Sequence, residues 1–169
     1  MNLLKRFNSY HPAIKAIFLM IPVTLTIFLY KFLTPQSVED SALLREYFLN
    51  ELKNGHIFNL IVFAPIIEEL TYRGPAYLVL LITIFTVAKF PDKKHLKITG
   101  DILYWLALLG FNYFWAAGHQ YMITIFAYGL LMGWLMQKTK SILYPILFHI
   151  VNNTCSILAI YFSFSVIYK

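Results

Sequence analysis

Between His56 and Phe90 the chain runs for 35 residues with only four charges, Glu68, Glu69, Arg73 and Lys89. A single helix of that length would extend about 50 Å, whereas the hydrocarbon core of a bilayer is about 30 Å thick. The run must therefore break. Gly74-Pro75 supplies the break, because proline disfavours helical geometry in the residue before it and readily begins the next helix. The sequence predicts one helix over about 56–72 and another over about 75–90. The adjacent acids near the end of the first are its most unusual feature. A charged side chain at the centre of a bilayer helix costs about 2.5–3.5 kcal/mol on insertion scales, so an acid placed there is a functional candidate. Glu69 and Arg73 are four apart and share a helix face, where the cation neutralises the carboxylate. Glu68 is rotated about 100° away and keeps no such partner on its own helix. One acid thus reads as structural and its neighbour as free for chemistry.

The rest of the chain agrees with a membrane setting. Its 169 residues make one domain, and 59% hydrophobic, 18% aromatic and 13% charged residues lie far from the soluble average. The net charge of +6 is distributed in short clusters between apolar runs, which assigns it to lipid headgroups and topology, with no nucleic-acid partner. Cys155 is the only cysteine and cannot form an intrachain disulfide. Residues 14–32 have the length of a span and are followed by no small-residue cleavage site, so they read as a retained anchor. Thr34-Pro35-Gln36-Ser37 ends that helix, Ser37 caps the next, and 38–52 is amphipathic, as in an interfacial helix or an extramembrane connector. The expected organisation is an anchor and connector over 1–55 and a core over 56–169. Within the core, 91–97 reads as a solvated loop with His95 as a surface histidine. Spans are expected at about 101–117 and 120–136, separated by the Gly118-His119 corner. Gly129 and Gly133 in the second have the GxxxG spacing that permits close helix approach. A Lys138-Thr139-Lys140 turn leads to a last span over about 143–166. The expected fold is all-α, a polytopic membrane helix bundle of about six embedded helices, integral to the cell membrane.

Three polar groups interrupt these apolar helices. They are Glu68-Glu69-x-x-x-Arg73; Trp115-Ala116-Ala117-Gly118-His119 with Asn112 seven residues before the histidine; and His149-x-x-x-Asn153, whose two side chains point together. Any one of them has a plain explanation, since a helical histidine is often satisfied by a backbone carbonyl and asparagine glues helices together. Two acids, two histidines and an amide on three apolar helices are more economically explained by one shared polar cavity.

Those three motifs, in that order and followed by the glycine-rich helix and the Lys-Thr-Lys-Ser turn, resemble the CPBP family of CAAX proteases and bacteriocin-processing enzymes over about residues 56–160. Trp115 stands where that family usually has phenylalanine. The resemblance implies an intramembrane endopeptidase acting on a peptide or protein substrate in or at the membrane, either a CAAX-type prenylated protein or a bacteriocin or peptide precursor. Glu68 with His119 would activate a water, His149 and Asn153 would stabilise the oxyanion, and Glu69 with Arg73 would hold the first helix. These roles suit the residue types: a glutamate and an imidazole share proton transfer, and a histidine and an amide donate to a developing oxyanion. Glu68, His119 and His149 also have the composition of a His2Glu zinc site with an open position, so a metal-dependent and a metal-free glutamate mechanism are both compatible with the sequence. The chain has no HExxH or GxSxG, and its aspartates, Asp40, Asp92 and Asp101, fall at loops or helix ends. The competing class is a non-catalytic protein of the same fold, a scaffold or bacteriocin self-immunity factor, whose polar cluster only specifies packing.

Overall fold

The computed structural model describes residues 53–119 and 122–167, with side chains to 158, and scattered positions between 11 and 18 and between 46 and 51. The expected anchor at 14–32, apart from positions 14, 15 and 18, and the Ser37 cap lie outside the described residues. The amphipathic segment is described at 46, 47 and 49–51, all helical. Among the described residues the elements are a π-helical turn, Asn59–Phe63, running into α1 (Ala64–Tyr72), then α2 (Gly74–Lys89), α3 (Lys94–Ala117), α4 (Met122–Thr139) and α5 (Leu143–Ile167), with no strand. The fold is the all-α bundle expected.

The boundaries follow local chemistry. α1 and α2 meet at Arg73 with a 55° bend, and Pro75 occupies the first turn of α2, where its missing N–H is not needed. Gly118 closes α3, and Lys140, at φ 58°, turns the chain after α4. α3 begins earlier than expected. The segment read as a loop through Lys97 is helical from Lys94, and the Lys97–Asp101 ion pair at 2.6 Å, four residues apart, supports that first turn. His95 is exposed there, as expected.

The π-helical turn runs directly into a proline. Its backbone pairs Ala64 N–H with Asn59 C=O, five residues back. In that register the next carbonyl, Leu60, should meet residue 65, which is a proline with no N–H. The freed carbonyl accepts instead from Asn153 Nδ2, at 3.2 Å on α5.

α2 packs on α3 through Ala76, Leu80, Tyr104 and Leu108, with Met136 of α4 closing the layer. Trp115, Tyr128, Met132 and Leu135 form a second cluster toward α5. The two glycines of α4 lie at the tightest approaches. A Cβ on Gly129 would collide with Asn112 Oδ1 and the Arg73 guanidinium, and one on Gly133 with Leu108. Polarity is arranged inside out. Glu69, Arg73 and Asn112 have no exposed surface, while Ile123 (86%), Phe85 (74%) and Phe114 (69%) are open on the outside. Large apolar side chains exposed to this degree suit an apolar solvent such as lipid better than water. Among the described residues no single helix is long and apolar enough to cross a membrane, but the bent pair Asn59–Tyr72 and Gly74–Lys89 is so jointly.

Candidate active site

The site is assembled where α1, α3 and α5 meet under α4. On α1, Arg73 Nη1 donates to Glu69 Oε1 at 2.8 Å, both side chains fully buried. A second contact runs from Arg73 Nη2 to Asn112 Oδ1 at 3.4 Å, and Asn112 Nδ2 donates to the Phe126 carbonyl of α4 at 2.8 Å. The guanidinium carbon stands 4.1 Å from the centroid of the Trp115 ring, a stacking arrangement favourable for a desolvated cation. The i, i+4 pair expected on α1 is therefore embedded in contacts from α3.

His149 of α5 joins the same carboxylate. Its Nδ1 lies 2.9 Å from Glu69 Oε1. A carboxylate paired with arginine can only accept, so Nδ1 carries the proton and donates. This leaves Nε2 turned toward Glu68 Oε2, 3.9 Å away. Glu68 differs from Glu69 in access: 31% of its side chain is exposed, against none. Its hydrogen bond comes from Trp115 Nε1 of α3, at 2.7 Å to Oε2.

His119 sits just past the end of α3, partly buried, with Nδ1 donating to the Trp115 carbonyl at 2.7 Å. That bond fixes the neutral tautomer with a lone pair on Nε2. Its ring lies 5.0 Å from Trp115, which in turn lies 5.6 Å from His149. Asn153, one turn beyond His149, spends one amide hydrogen on Leu60 C=O and retains a second. Glu68, Glu69, Arg73 and His149 are thus brought into direct contact. His119 is linked to them through Trp115, and Asn153 is tied to the turn that begins α1.

The expected metal donors are not gathered. Among the described residues no three His, Cys, Asp or Glu side chains are grouped as a metal ion requires. His119 Nδ1 is bonded to the Trp115 carbonyl and His149 Nδ1 to Glu69, which leaves His149 Nε2 and Glu68 as a facing pair without a third donor.

Two contributors were not visible as such in the sequence. Trp115 reads in the sequence only as an aromatic before a histidine, and the signal for its hydrogen bond is that indole, unlike phenylalanine, carries an N–H. Tyr128 of α4, 6.1 Å from the His149 ring and 6.2 Å from Trp115, had no signal. Its hydroxyl, Glu69 Oε2 and Arg73 Nε are buried without a hydrogen-bond partner, three polar atoms that ordered water would serve.

No curated protein and no solved structure matches the chain. The family model for type II CAAX prenyl endopeptidase, Rce1-like, matches residues 42–155, which is more than half of the 169 and includes every residue of the three motifs. The chain therefore belongs to the Rce1-like family of type II CAAX prenyl endopeptidases, a family of membrane proteases.

Proposed function

We propose that the protein is an intramembrane endopeptidase of the cell membrane, in which Glu68 is the general base that activates water against the carbonyl of a membrane-associated peptide. The observation that carries this reading is the contrast between the two adjacent acids. Glu69 is sealed, with Arg73 and His149 both bonded to its Oε1, whereas Glu68 is partly open, its Oε2 held by Trp115. A base must reach solvent and substrate, and a buried ion pair cannot. Glu68 takes a proton from the water, the resulting hydroxide attacks the scissile carbonyl, and the proton passes to the leaving amine. His149, held by Glu69 through Nδ1 and facing Glu68 through Nε2, accepts that proton at Nε2 and, once it holds it, donates to the oxyanion. The second amide hydrogen of Asn153 supports the same oxyanion. His119, whose Nδ1 is committed to the Trp115 carbonyl, offers Nε2 as a further acceptor.

Membership of a CAAX endopeptidase family favours a prenylated protein with a tetrapeptide end as substrate; a bacteriocin or peptide precursor is the other candidate. The deciding experiment assays both in detergent or liposomes with wild type and Glu68→Gln, with and without a chelator. Cleavage of one of them that is lost in Glu68→Gln and survives the chelator is the expected result. A competing packing-only role is favoured by the backbone bonds of His119 and Asn153. It predicts no cleavage of either substrate by wild type.

A further inference from the structure

Trp115 is the residue at which the parts of the site converge. Its ring face carries the Arg73 guanidinium at 4.1 Å. Its indole meets the rings of His119 and His149 in T-shaped contacts at 5.0 and 5.6 Å and lies tilted to that of Tyr128 at 6.2 Å. Its carbonyl holds His119 Nδ1, and its Nε1–H holds Glu68 Oε2. The indole is itself immobilised, 2% exposed and packed with Tyr128, Met132 and Leu135.

The consequence lies in the difference between the two oxygens of Glu68. Oε2 receives the indole N–H at 2.7 Å, within the range of a charge-assisted hydrogen bond, and is the oxygen 3.9 Å from His149 Nε2. Oε1 receives no hydrogen bond from any described side chain. A glutamate with three free torsions is a poorly aimed base, and effective proton transfer requires the accepting oxygen to be held within hydrogen-bond reach of the water. We propose that Trp115 is the positioning residue for Glu68: by binding Oε2 it fixes the carboxylate plane and leaves Oε1 as the oxygen that takes the proton from water. Because the same indole stacks on Arg73, the sealed Glu69–Arg73 pair and the open base are referenced to one rigid plane. This inference rests on the protease reading above.

A buried indole N–H needs some acceptor, so a packing role alone would leave Glu68 indifferent to it. The test separates the two. The full-length protein in detergent, labelled with nitrogen-15 at its three indoles, Trp105, Trp115 and Trp134, is examined by NMR, with Trp115→Phe identifying the Trp115 signal. Glu68→Leu, which removes the acceptor, should move the Trp115 indole proton upfield and leave those of Trp105 and Trp134 in place. In the cleavage assay Trp115→Phe, which keeps a ring but loses the N–H, should lower kcat by about tenfold to a hundredfold with KM unchanged. An indole signal that ignores Glu68→Leu overturns the inference, as does a folded Trp115→Phe with wild-type kcat. If Trp115→Phe does not fold, Trp105→Phe and Trp134→Phe identify the Trp115 signal by elimination, and the Glu68→Leu spectrum decides alone. The two failures are distinguishable: an active wild type without indole coupling to Glu68 sinks only this inference, whereas a wild type that cleaves neither substrate sinks the protease reading and this inference with it.

Discussion

An arginine and a glutamate that are both wholly buried cannot be changed one at a time without leaving a charge in a low-dielectric interior. Removal of either member of such a pair typically costs about 3–5 kcal/mol. Glu69→Ala and Arg73→Ala are therefore expected to behave alike, each lowering the yield of folded protein along with activity, and fluorescence-detected size exclusion will register both. Glu68→Gln should behave differently. Its amide oxygen still accepts from Trp115 Nε1, so thermal stability stays near wild type while cleavage is lost. A destabilised Glu68→Gln beside a silent Glu69→Ala would reverse the two roles. At this scale the i, i+4 relation of Glu69 and Arg73 was legible, because it depends only on helix geometry. The partners of Glu68 and Glu69 on other helices were not. Trp115 is 47 residues from Glu68 and His149 is 80 from Glu69, and no local rule selects among the apolar faces that could have met α1.

At the scale of the element, the start of α1 is a case of one residue creating a need that another helix meets. Pro65 deprives the Leu60 carbonyl of its donor in the π register, and Asn153 replaces it. Leaving a fully buried carbonyl unsatisfied costs about 1–3 kcal/mol, and a half-buried one such as that of Leu60 less, so Asn153→Ala is expected to lower the melting temperature modestly as well as activity. Pro65→Ala restores an N–H at that position. The double variant should then lose less stability than Asn153→Ala alone, a non-additivity that a double-mutant cycle measures directly. Simple addition of the two effects would show that Leu60 is served in some other way. The sequence indicated that Asn153 shares a face with His149, yet not that its amide is bonded to the Leu60 carbonyl. The π register depends on how α5 packs against the turn, which lies beyond the reach of periodicity. The Gly74-Pro75 break and the Gly118 corner, by contrast, were legible because proline and glycine act through their own backbone constraints.

For the whole molecule, the decisive property is how closely α4 lies on α3, since a polar centre inside an apolar shell survives only if its groups are held at bonding distance. The GxxxG spacing of Gly129 and Gly133 was legible as a close-approach signal, while what it approaches was not. Gly129 faces Asn112 Oδ1 and the Arg73 guanidinium, and Gly133 faces Leu108. A methyl group at Gly129 must displace Asn112 or Arg73, which are fully buried and bonded to each other. Such overpacking costs about 1–3 kcal/mol, and the shift is transmitted along Arg73 to Glu69 and His149. Gly110 of α3 is the internal control, because a Cβ there meets nothing within 4 Å, and replacing a helical glycine by alanine gains about 0.5–1 kcal/mol. Gly110→Ala is therefore expected to keep wild-type cleavage with unchanged or higher melting temperature. Gly129→Ala should lose stability and, in whatever fraction remains folded, lose kcat as well, because Arg73 can no longer hold Glu69 against His149. Equal behaviour of the two alanine variants in thermal unfolding and in turnover per folded molecule would mean that the polar centre tolerates a wider separation of α3 and α4 than its bond lengths indicate.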